Sequence, residues 1–194
     1  MAEEEPVSPG SGDSKTANGD ALRPFWTSPL FHVVLHEPEI PNNTGNIGRT
    51  CVATGCALHL VHPLGFDTSE KACRRSGLDY WPRLRVTEHA DWPTCERVLG
   101  DRRVWVFTTR ARASVFSATF NRGDALVFGK ETSGLPAEII ERYETRAIGF
   151  PMVAGERSLN LATAVCNSVY EGVRQLLGRG EIRTEGGAGL RIVE

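Results

Sequence analysis

The sequence predicts an α/β fold with a mostly parallel sheet and helices on both faces. One observation behind this prediction is a set of compact apolar runs, of which Val104–Thr108 and Ala125–Phe128 are typical of buried parallel strands. The other is that these runs alternate with segments of helical pattern, as in a doubly wound sheet. In such sheets, ligands bind beyond the carboxyl ends of the strands.

Turn and capping residues divide the chain into elements. The predicted strands are Phe31–His36, Ala57–His62, Val104–Thr108, Ala125–Phe128 and Arg146–Phe150. The predicted helices are Thr44–Thr54, Asp67–Ser76, Asp91–Leu99, Pro136–Tyr143 and Leu159–Leu177. Asn43 or Thr44 is expected to cap the first helix, and Ser158 the last.

The length of 194 residues fits one domain. Residues 1–28 mix acidic residues with Ser, Pro and Gly and contain few apolar anchors, which predicts a disordered acidic extension. A single α/β domain is expected over residues 29–180, followed by a flexible tail over 181–194.

The formal net charge of −2 hides an uneven distribution. Residues 1–30 carry five acidic and two basic residues, a net charge of −3, whereas residues 71–112 carry ten basic and five acidic residues, a net charge of +5. The ten are Lys71, Arg74, Arg75, Arg83, Arg85, Arg97, Arg102, Arg103, Arg110 and Arg112. This basic stretch is a candidate for contacts with RNA phosphates. A set of unrelated solvated charges accounts for the composition equally well.

Several classes of site lack their signatures. The chain has no GxGxxG, no complete GxxxxGK[ST], no HExxH and no GxSxG, which argues against dinucleotide, P-loop, zinc-protease and serine-hydrolase sites. The five cysteines form no CxxC pair and the histidines lack ligand spacing, so buried thiols, structural histidines and no metal are expected. No apolar run reaches the roughly 18–20 residues of a membrane span, and the acidic, Ser- and Gly-rich N-terminal stretch is not expected to act as a signal peptide. A cytoplasmic protein without a membrane partner is predicted.

The first segment that resembles a binding site is Glu37–Thr50. Two prolines stiffen a loop after a strand, and an Asn-rich turn then opens a helix whose free N–H groups suit an anion. Arg49 lies about one and a half turns into that helix, near a phosphate or ribose. The alternative is an Asn cap and an unrelated surface arginine.

The second segment is Leu126–Pro136. A strand ends at Gly129, and glycines allow a ligand to approach the backbone closely. Glu131 is placed to accept hydrogen bonds from backbone amides or a hydroxyl. An ordinary connection between a strand and a helix is the alternative.

The third segment joins Ile148–Met152 to the last predicted helix. That helix has an apolar stripe, and opposite it a second stripe of Asn160, Thr163, Asn167, Glu171 and Arg174. The first two turns of this second stripe are polar yet uncharged, which indicates contact with a protein surface. The alternative is a simple amphipathic helix.

Together these segments resemble the three motifs of the SPOUT methyltransferases, in the TrmH-type branch that acts on ribose 2′-hydroxyls. The resemblance covers residues 31–178 and rests on EPEIPNNTGNIGRTCVATG, HPLGF, RRSGLDYW, FTTRA, LVFGKETSGLP and FPMVAGERSLNLATAVCNSVYEGVRQL. It implies a C-terminal trefoil knot, S-adenosyl-methionine as cofactor, and a homodimer in which each copy completes the other's site. It also implies a tRNA substrate, with the wobble ribose of the anticodon loop as target, most naturally in a leucine tRNA.

The resemblance also assigns residues. Those implied to bind the cofactor are Phe107, Thr108, Gly129, Phe150, Met152, Ser158, Leu159 and Asn160. Arg49, Asn43 and Glu131 are implied to be catalytic. A guanidinium is a poor base because it keeps its proton in proteins, so we expect Arg49 to hold the RNA and stabilise developing oxyanion charge, oriented by Asn43 and Glu131. Phe150 stands where the family usually has Ile, and Lys130 where it often has Pro or Ser.

Two other functions stay open at this point. One is 2′-O-methylation at another tRNA or rRNA position, and the other is a non-catalytic α/β protein that binds RNA.

Overall fold

The computed structural model describes residues 28–68, 78–187 and 189–193. Its centre is a seven-stranded sheet in which every neighbouring pair is parallel, in the order β3-β2-β1-β6-β4-β7-β5. The strands are β1 (His32–His36), β2 (Ala57–Val61), β3 (Arg85–His89), β4 (Val104–Phe107), β5 (Ala113–Ser114), β6 (Ala125–Phe128) and β7 (Ala147–Gly149). All five predicted strands are present, and the predicted α/β class is confirmed.

Four α-helices lie in the described residues. They are α1 (Pro41–Thr54), α2 (Trp92–Leu99), α3 (Ala137–Arg142) and α4 (Leu161–Gly178). Short 3₁₀ helices occupy Trp81–Arg83, Val115–Ser117 and Glu144–Arg146. The predicted helix Asp67–Ser76 falls mostly on residues 69–77, outside the described residues, as do residues 1–27 of the predicted N-terminal extension.

The helices cover both faces of the sheet, as predicted. Successive strand residues point to opposite faces, so Val33 and Leu35 join the core formed with α1 and α4. Val34, between them, joins the core formed with α2 and α3. All five residues of β1 and all four of β6 are buried, which is why the central strands read as continuous apolar runs.

Two predicted helix caps are corrected by the structure. The first helix begins at Pro41, which suits a first helical position, and neither Asn43 nor Thr44 caps it. The last helix is capped by the side chain of Asn160, which accepts from the Thr163 amide at 3.2 Å, rather than by Ser158. Asp91 caps α2 by accepting from the Thr94 amide at 2.8 Å.

Three strand regions were not foreseen, of which β5 has only two residues and so carries no pattern of its own. The edge strand β3 is largely exposed, so its sequence lacks the apolar run that marked the other strands. Where a flexible tail was expected over 181–194, the structure has an antiparallel hairpin of β8 (Ile182–Glu185) and β9 (Gly189–Ile192). Ile182 is buried against the core that α4 covers, which anchors the hairpin.

Three histidines on neighbouring strands form a buried chain of hydrogen bonds that ends at Arg102. These three histidines and Arg102 are here called the histidine chain. Arg102 Nε donates to His32 Nε2 at 3.0 Å, His32 Nδ1 lies 2.9 Å from His59 Nε2, and His59 Nδ1 lies 2.9 Å from His89 Nε2. A guanidinium only donates, so His32 must carry its proton on Nδ1 and donate to His59. The same reasoning puts the proton of His59 on Nδ1, and that of His89 on its own Nδ1.

Burial keeps the three imidazoles of the histidine chain neutral. It lowers the pKa of His32 to about 4, with a smaller contribution from Arg102, and lowers the pKa of His59 to about 3. The pKa of His89 is lowered by burial as well. Burial and mutual hydrogen bonds are typical of structural histidines, the role expected of His32 and His59 from their place in strands.

Among the helices of the described ranges, none combines the length and the apolarity that crossing a membrane would require.

Candidate functional site

A cavity of about 560 Å³ opens at the carboxyl ends of β4, β6 and β7. This is the edge of a parallel sheet at which ligands are expected. The volume lies within the range of small-molecule sites. Three connections surround it: the loops that follow β4 and β6, and the segment between β7 and α4.

The eight residues that the resemblance assigned to the cofactor all line this cavity. They are Phe107, Thr108, Gly129, Phe150, Met152, Ser158, Leu159 and Asn160. They lie up to 53 positions apart in the chain and meet because β4, β6 and β7 are neighbours in the sheet.

Gly129 and the aromatic rings give the cavity its walls. A Cβ atom on Gly129 would lie 2.1 Å from the backbone carbonyl carbon of Gly134, so the returning loop requires glycine there. The rings of Phe107 and Phe150 are near parallel, with centroids 6.1 Å apart. Phe107 also stacks on Phe128 at 4.3 Å. The cavity therefore presents aromatic rings and exposed backbone.

Three polar side chains of the cavity form a continuous network, here called the open cluster: Glu131, Asn43 and Asn160. The Glu131 carboxylate accepts from Asn43 Nδ2 at 2.8 Å, and from the backbone amides of Glu39 at 2.9 Å and Ile40 at 3.3 Å. Asn160 Nδ2 donates to Asn43 Oδ1 at 2.9 Å. The predicted role of Glu131 as an acceptor for backbone amides is confirmed. The Asn43 amide is held from both sides, which explains why it does not cap α1.

Two further contacts tie the loop after β1 to the loop after β6. Lys130 Nζ donates to Glu37 at 2.7 Å, a bond that raises the pKa of Lys130. Glu39 accepts from the Thr132 amide at 3.1 Å and from its hydroxyl at 3.0 Å. The start of α1 is thus held against the cavity loop.

Arg49 is not among the residues that line the cavity. Its side chain is 66% exposed, lies 3.9 Å from Asp79, and stacks over the Tyr80 ring at 4.8 Å. The expectation that Asn43 and Glu131 orient Arg49 is wrong for the single chain, because those two side chains hold each other instead.

Sequence reasoning did not single out Arg157, and it counted Arg110 only as part of the basic stretch. Both line the cavity. Of that stretch, Lys71, Arg74 and Arg75 lie outside the described residues. Arg102 is engaged by His32, and Arg103 pairs with the buried Asp124 at 2.7 Å. The stretch is therefore not one surface. The signal that could have separated Arg110 from the rest is its place directly after a strand end.

One group of possible metal ligands occurs in the described residues, away from the cavity. Ligand atoms of His59, His89 and Cys95 lie within 4.8 Å of one another, and all three residues are buried. The hydrogen bond between His59 and His89 occupies the facing nitrogens, and burial raises the pKa of the Cys95 thiol to about 12. The four described cysteines are free thiols, and Cys51, Cys56 and Cys95 are buried.

Residues 30–170 match the model of the SpoU rRNA Methylase family, which is well over half of the chain. The chain belongs to the SpoU methylase family. The family resemblance of the motifs is thereby confirmed.

This SpoU methylase is similar to known proteins over almost the whole length of those proteins. A tRNA (cytidine(34)-2'-O)-methyltransferase of Saccharophagus degradans is 46% identical over 149 residues, covering 76% of this chain and 96% of that protein. A solved structure described as giving insights into the 2-OH methylation of C/U34 on tRNA is 45% identical, with a TM-score of 0.72, covering 77% of this chain and 97% of that one.

A more distant solved structure shares the fold. An AdoMet-bound rRNA methyltransferase from Sinorhizobium meliloti is 23% identical with a TM-score of 0.65, covering 77% of this chain and 61% of that one.

Proposed function

We propose that this protein uses S-adenosyl-methionine to methylate the ribose 2′-hydroxyl of nucleotide 34, the wobble position, in a tRNA, with a leucine tRNA as the first substrate to test. The observation that carries this proposal is the 46% identity to a tRNA (cytidine(34)-2'-O)-methyltransferase across 96% of that protein's length. The three motif segments of the resemblance also converge on one cavity in this chain.

The residues present fit S-adenosyl-methionine. The cavity of about 560 Å³ is large enough for a nucleoside-sized ligand. The rings of Phe107 and Phe150 offer flat contacts for a purine, and the backbone around Gly129 is open to close approach. When bound, this cofactor supplies an electrophilic methyl group, and the protein must align the ribose oxygen with it.

The open cluster positions the acceptor. Glu131 and Asn160 fix which way the Asn43 amide points, at the edge of the cavity where α1 begins. A held amide orients a hydroxyl with little reorganisation when the reaction occurs, and alignment alone supplies a large share of such a rate enhancement. The hydroxyl proton passes to solvent water, and the guanidinium of Arg49 stabilises the negative charge that develops on the ribose oxygen. It does so without accepting a proton, because a guanidinium only donates.

In the proposed homodimer, Arg49 of one copy reaches the cavity of the other copy. This part of the proposal is supported by the exposure of Arg49 and by its absence from the cavity lining of its own copy. The exposed and uncharged Thr163 and Asn167 on α4 suit a contact with that copy. Two such copies form the homodimer that the family resemblance implies.

Two finer properties complete the proposal. The segment after β7 is threaded as a trefoil knot, as the family resemblance implies. The enzyme works in the cytoplasm, where the proposed tRNA substrate is processed.

The deciding experiment is nucleoside mass spectrometry of tRNA after incubation with the protein and isotope-labelled cofactor. The expected product is a labelled 2′-O-methyl nucleoside that maps to position 34 of a leucine tRNA. A labelled nucleoside at another tRNA or rRNA position would show that the protein carries out the same chemistry on a different target nucleotide. If no RNA is labelled and S-adenosyl-homocysteine does not raise the melting temperature at millimolar concentration, the methyltransferase assignment is wrong.

A further inference from the structure

The cavity holds an excess of positive charge that its own acids do not neutralise. Its charged lining residues are Arg110, Lys130, Arg157 and Glu131. Lys130 is paired with Glu37 at 2.7 Å, so its charge is already compensated. Glu131 accepts from two backbone amides and from Asn43 and makes no ion pair in the described part of the chain.

Arg110 and Arg157 are the two cations left over. Both side chains are exposed, and neither forms an ion pair with any residue of the described ranges. They come from different connections: Arg110 from the loop after β4, and Arg157 from the segment between β7 and α4. Two uncompensated guanidinium groups are therefore presented to one cavity from two loops.

The loop that carries Arg110 is anchored. The Thr108 amide donates to the Ile148 carbonyl at 3.0 Å, and the Arg110 amide donates to the Thr108 hydroxyl at 3.2 Å. A Cβ atom on Gly149 would lie 2.7 Å from the Thr108 carbonyl oxygen, so β7 packs directly against this loop. The base of the Arg110 side chain is thus set by the sheet, and the charged end is free to meet a ligand.

We propose that Arg110 and Arg157 bind backbone phosphates of the substrate RNA next to the target ribose. This inference rests on the proposed function and names residues that position its substrate. Guanidinium groups match phosphate oxygens with two parallel hydrogen bonds. A nucleotide placed at the cavity carries phosphates on both sides of its ribose, which suits two arginines on separate loops. Phosphate contacts set the register of an RNA without reading its bases.

Another anion could take the same site, namely the carboxylate at the amino-acid end of the cofactor. The two sources differ in what they predict. If the arginines contact RNA phosphates, removing them weakens RNA binding and reduces its dependence on salt, because each neutralised phosphate releases counterions. If they contact the cofactor carboxylate, removing them weakens cofactor binding and leaves the salt dependence of RNA binding unchanged.

The test uses Arg110→Gln, Arg157→Gln and the double variant of the full chain. The control is Arg122→Gln, because Arg122 is an exposed arginine before β6, at the opposite edge of the sheet from the cavity. Affinity for an unmodified tRNA transcript with cytidine at position 34 is measured across a series of salt concentrations. Affinity for S-adenosyl-homocysteine is measured by calorimetry, and melting temperatures confirm that each variant folds.

Each single substitution is expected to weaken RNA binding about tenfold. It should also reduce the slope of log affinity against log salt by about 0.7–1. Affinity for S-adenosyl-homocysteine should change less than about twofold, and Arg122→Gln should match the unaltered protein.

Two results would overturn the inference. One is RNA affinity and salt slope equal to those of the Arg122→Gln control. The other is a loss of affinity for S-adenosyl-homocysteine while the salt dependence of RNA binding is unchanged. That result would show that the arginines bind the cofactor. Because binding is measured without turnover, a protein that binds the transcript but transfers no methyl group would refute the proposed function alone.

Discussion

Two polar clusters in this molecule are built alike and differ in what surrounds them. The histidine chain and the open cluster each join side chains from several elements through hydrogen bonds of 2.8–3.0 Å. The histidine chain lies within the sheet under α2, and its three rings are at most 8% exposed. The open cluster lines a cavity of about 560 Å³.

We expect this difference to separate a structural network from a functional one. In the histidine chain every facing nitrogen is used within the protein, and its only charged member, Arg102, sets the direction of the donors. In the open cluster the carboxylate and amides fix one another beside open space, so their remaining hydrogen-bonding capacity faces the cavity. A perturbed pKa alone would have pointed to the wrong cluster, since the strongest shifts among the histidines belong to the buried chain.

The largest expected effect extends this comparison to an arginine outside both clusters. Arg49→Ala should lower kcat by about 10²–10³-fold, because an oriented donor to developing oxyanion charge is lost. Affinity for S-adenosyl-homocysteine and the melting temperature should stay unchanged. Methyl incorporation into tRNA and calorimetry give the two readouts, with the remote Arg122→Ala as control. Near-normal turnover in Arg49→Ala would remove Arg49 from the reaction.

The same variant tests the second copy. Gly129→Val closes the cofactor cavity, because its backbone neighbour lies within 2.1 Å of the added carbon position. Co-expressed with Arg49→Ala chains, it should restore part of the activity that neither variant has alone, since one site of each mixed dimer pairs an intact cavity with an intact Arg49. No restoration would place Arg49 and the cavity on the same copy.

The next effect should appear in stability and leave turnover intact. His59→Leu leaves the Nδ1–H of His32 and the Nε2 of His89 without partners, which should lower the free energy of unfolding by about 3 kcal/mol. Denaturant unfolding measures this loss, and kcat per folded molecule should stay within about twofold. His62→Leu is the control, because His62 is 42% exposed and its pair with Glu88 contributes less than about 1 kcal/mol. A large fall in kcat for His59→Leu would show that the histidine chain contributes to catalysis as well as to stability.

The open cluster should respond in the opposite way. The Glu131 carboxylate accepts three hydrogen bonds, from two backbone amides and from Asn43. In Glu131→Gln the side-chain NH2 group must face at least one of these donors, which should disturb the cluster and lower kcat about 10–100-fold. The melting temperature should move by less than about 3 °C, since Glu131 is only partly buried. Glu141→Gln on the exposed side of α3 is the matched control. Loss of stability with normal kcat would make Glu131 a structural residue like the histidines.

The smallest effect concerns pH. His32 and His59 have pKa values of about 4 and about 3 in the folded protein, below the ordinary 6.5 of an unfolded chain. Between the folded and the unfolded pKa values, the unfolded state therefore binds more protons than the folded state. The contribution of these two histidines to stability is complete above pH 6.5 and falls as pH drops toward 4. His32→Gln should reduce that slope by about one proton, or about 1.4 kcal/mol per pH unit. Urea unfolding from pH 4 to 8 measures it. An unchanged slope would mean that His32 is already charged in the folded protein.

Sequence reasoning worked best where signals are local. Apolar runs located β1, β2, β4, β6 and β7, and the motif segments identified the cavity lining. It failed at β3, whose exposed residues carry no apolar pattern, and at the C-terminal hairpin, which depends on burial of Ile182 against distant residues. It also misplaced the caps: the Asn43 side chain is engaged by Glu131 and Asn160, and α1 begins at Pro41 with no side-chain cap.

The sequence by itself determined the α/β class, the family and which segments form the cavity, because strand pattern, glycine spacing and motif order are properties of short stretches. Only the tertiary structure decided which side chains meet. Asn43 lies 88 positions from Glu131 and 117 from Asn160. These bonds exist because the sheet order β1-β6-β4-β7 brings together the segments that follow β1, β6 and β7. The same parallel register aligns His32, His59 and His89 into one chain. A hydrogen bond requires atoms within about 3 Å, and no local pattern fixes that distance across a hundred residues.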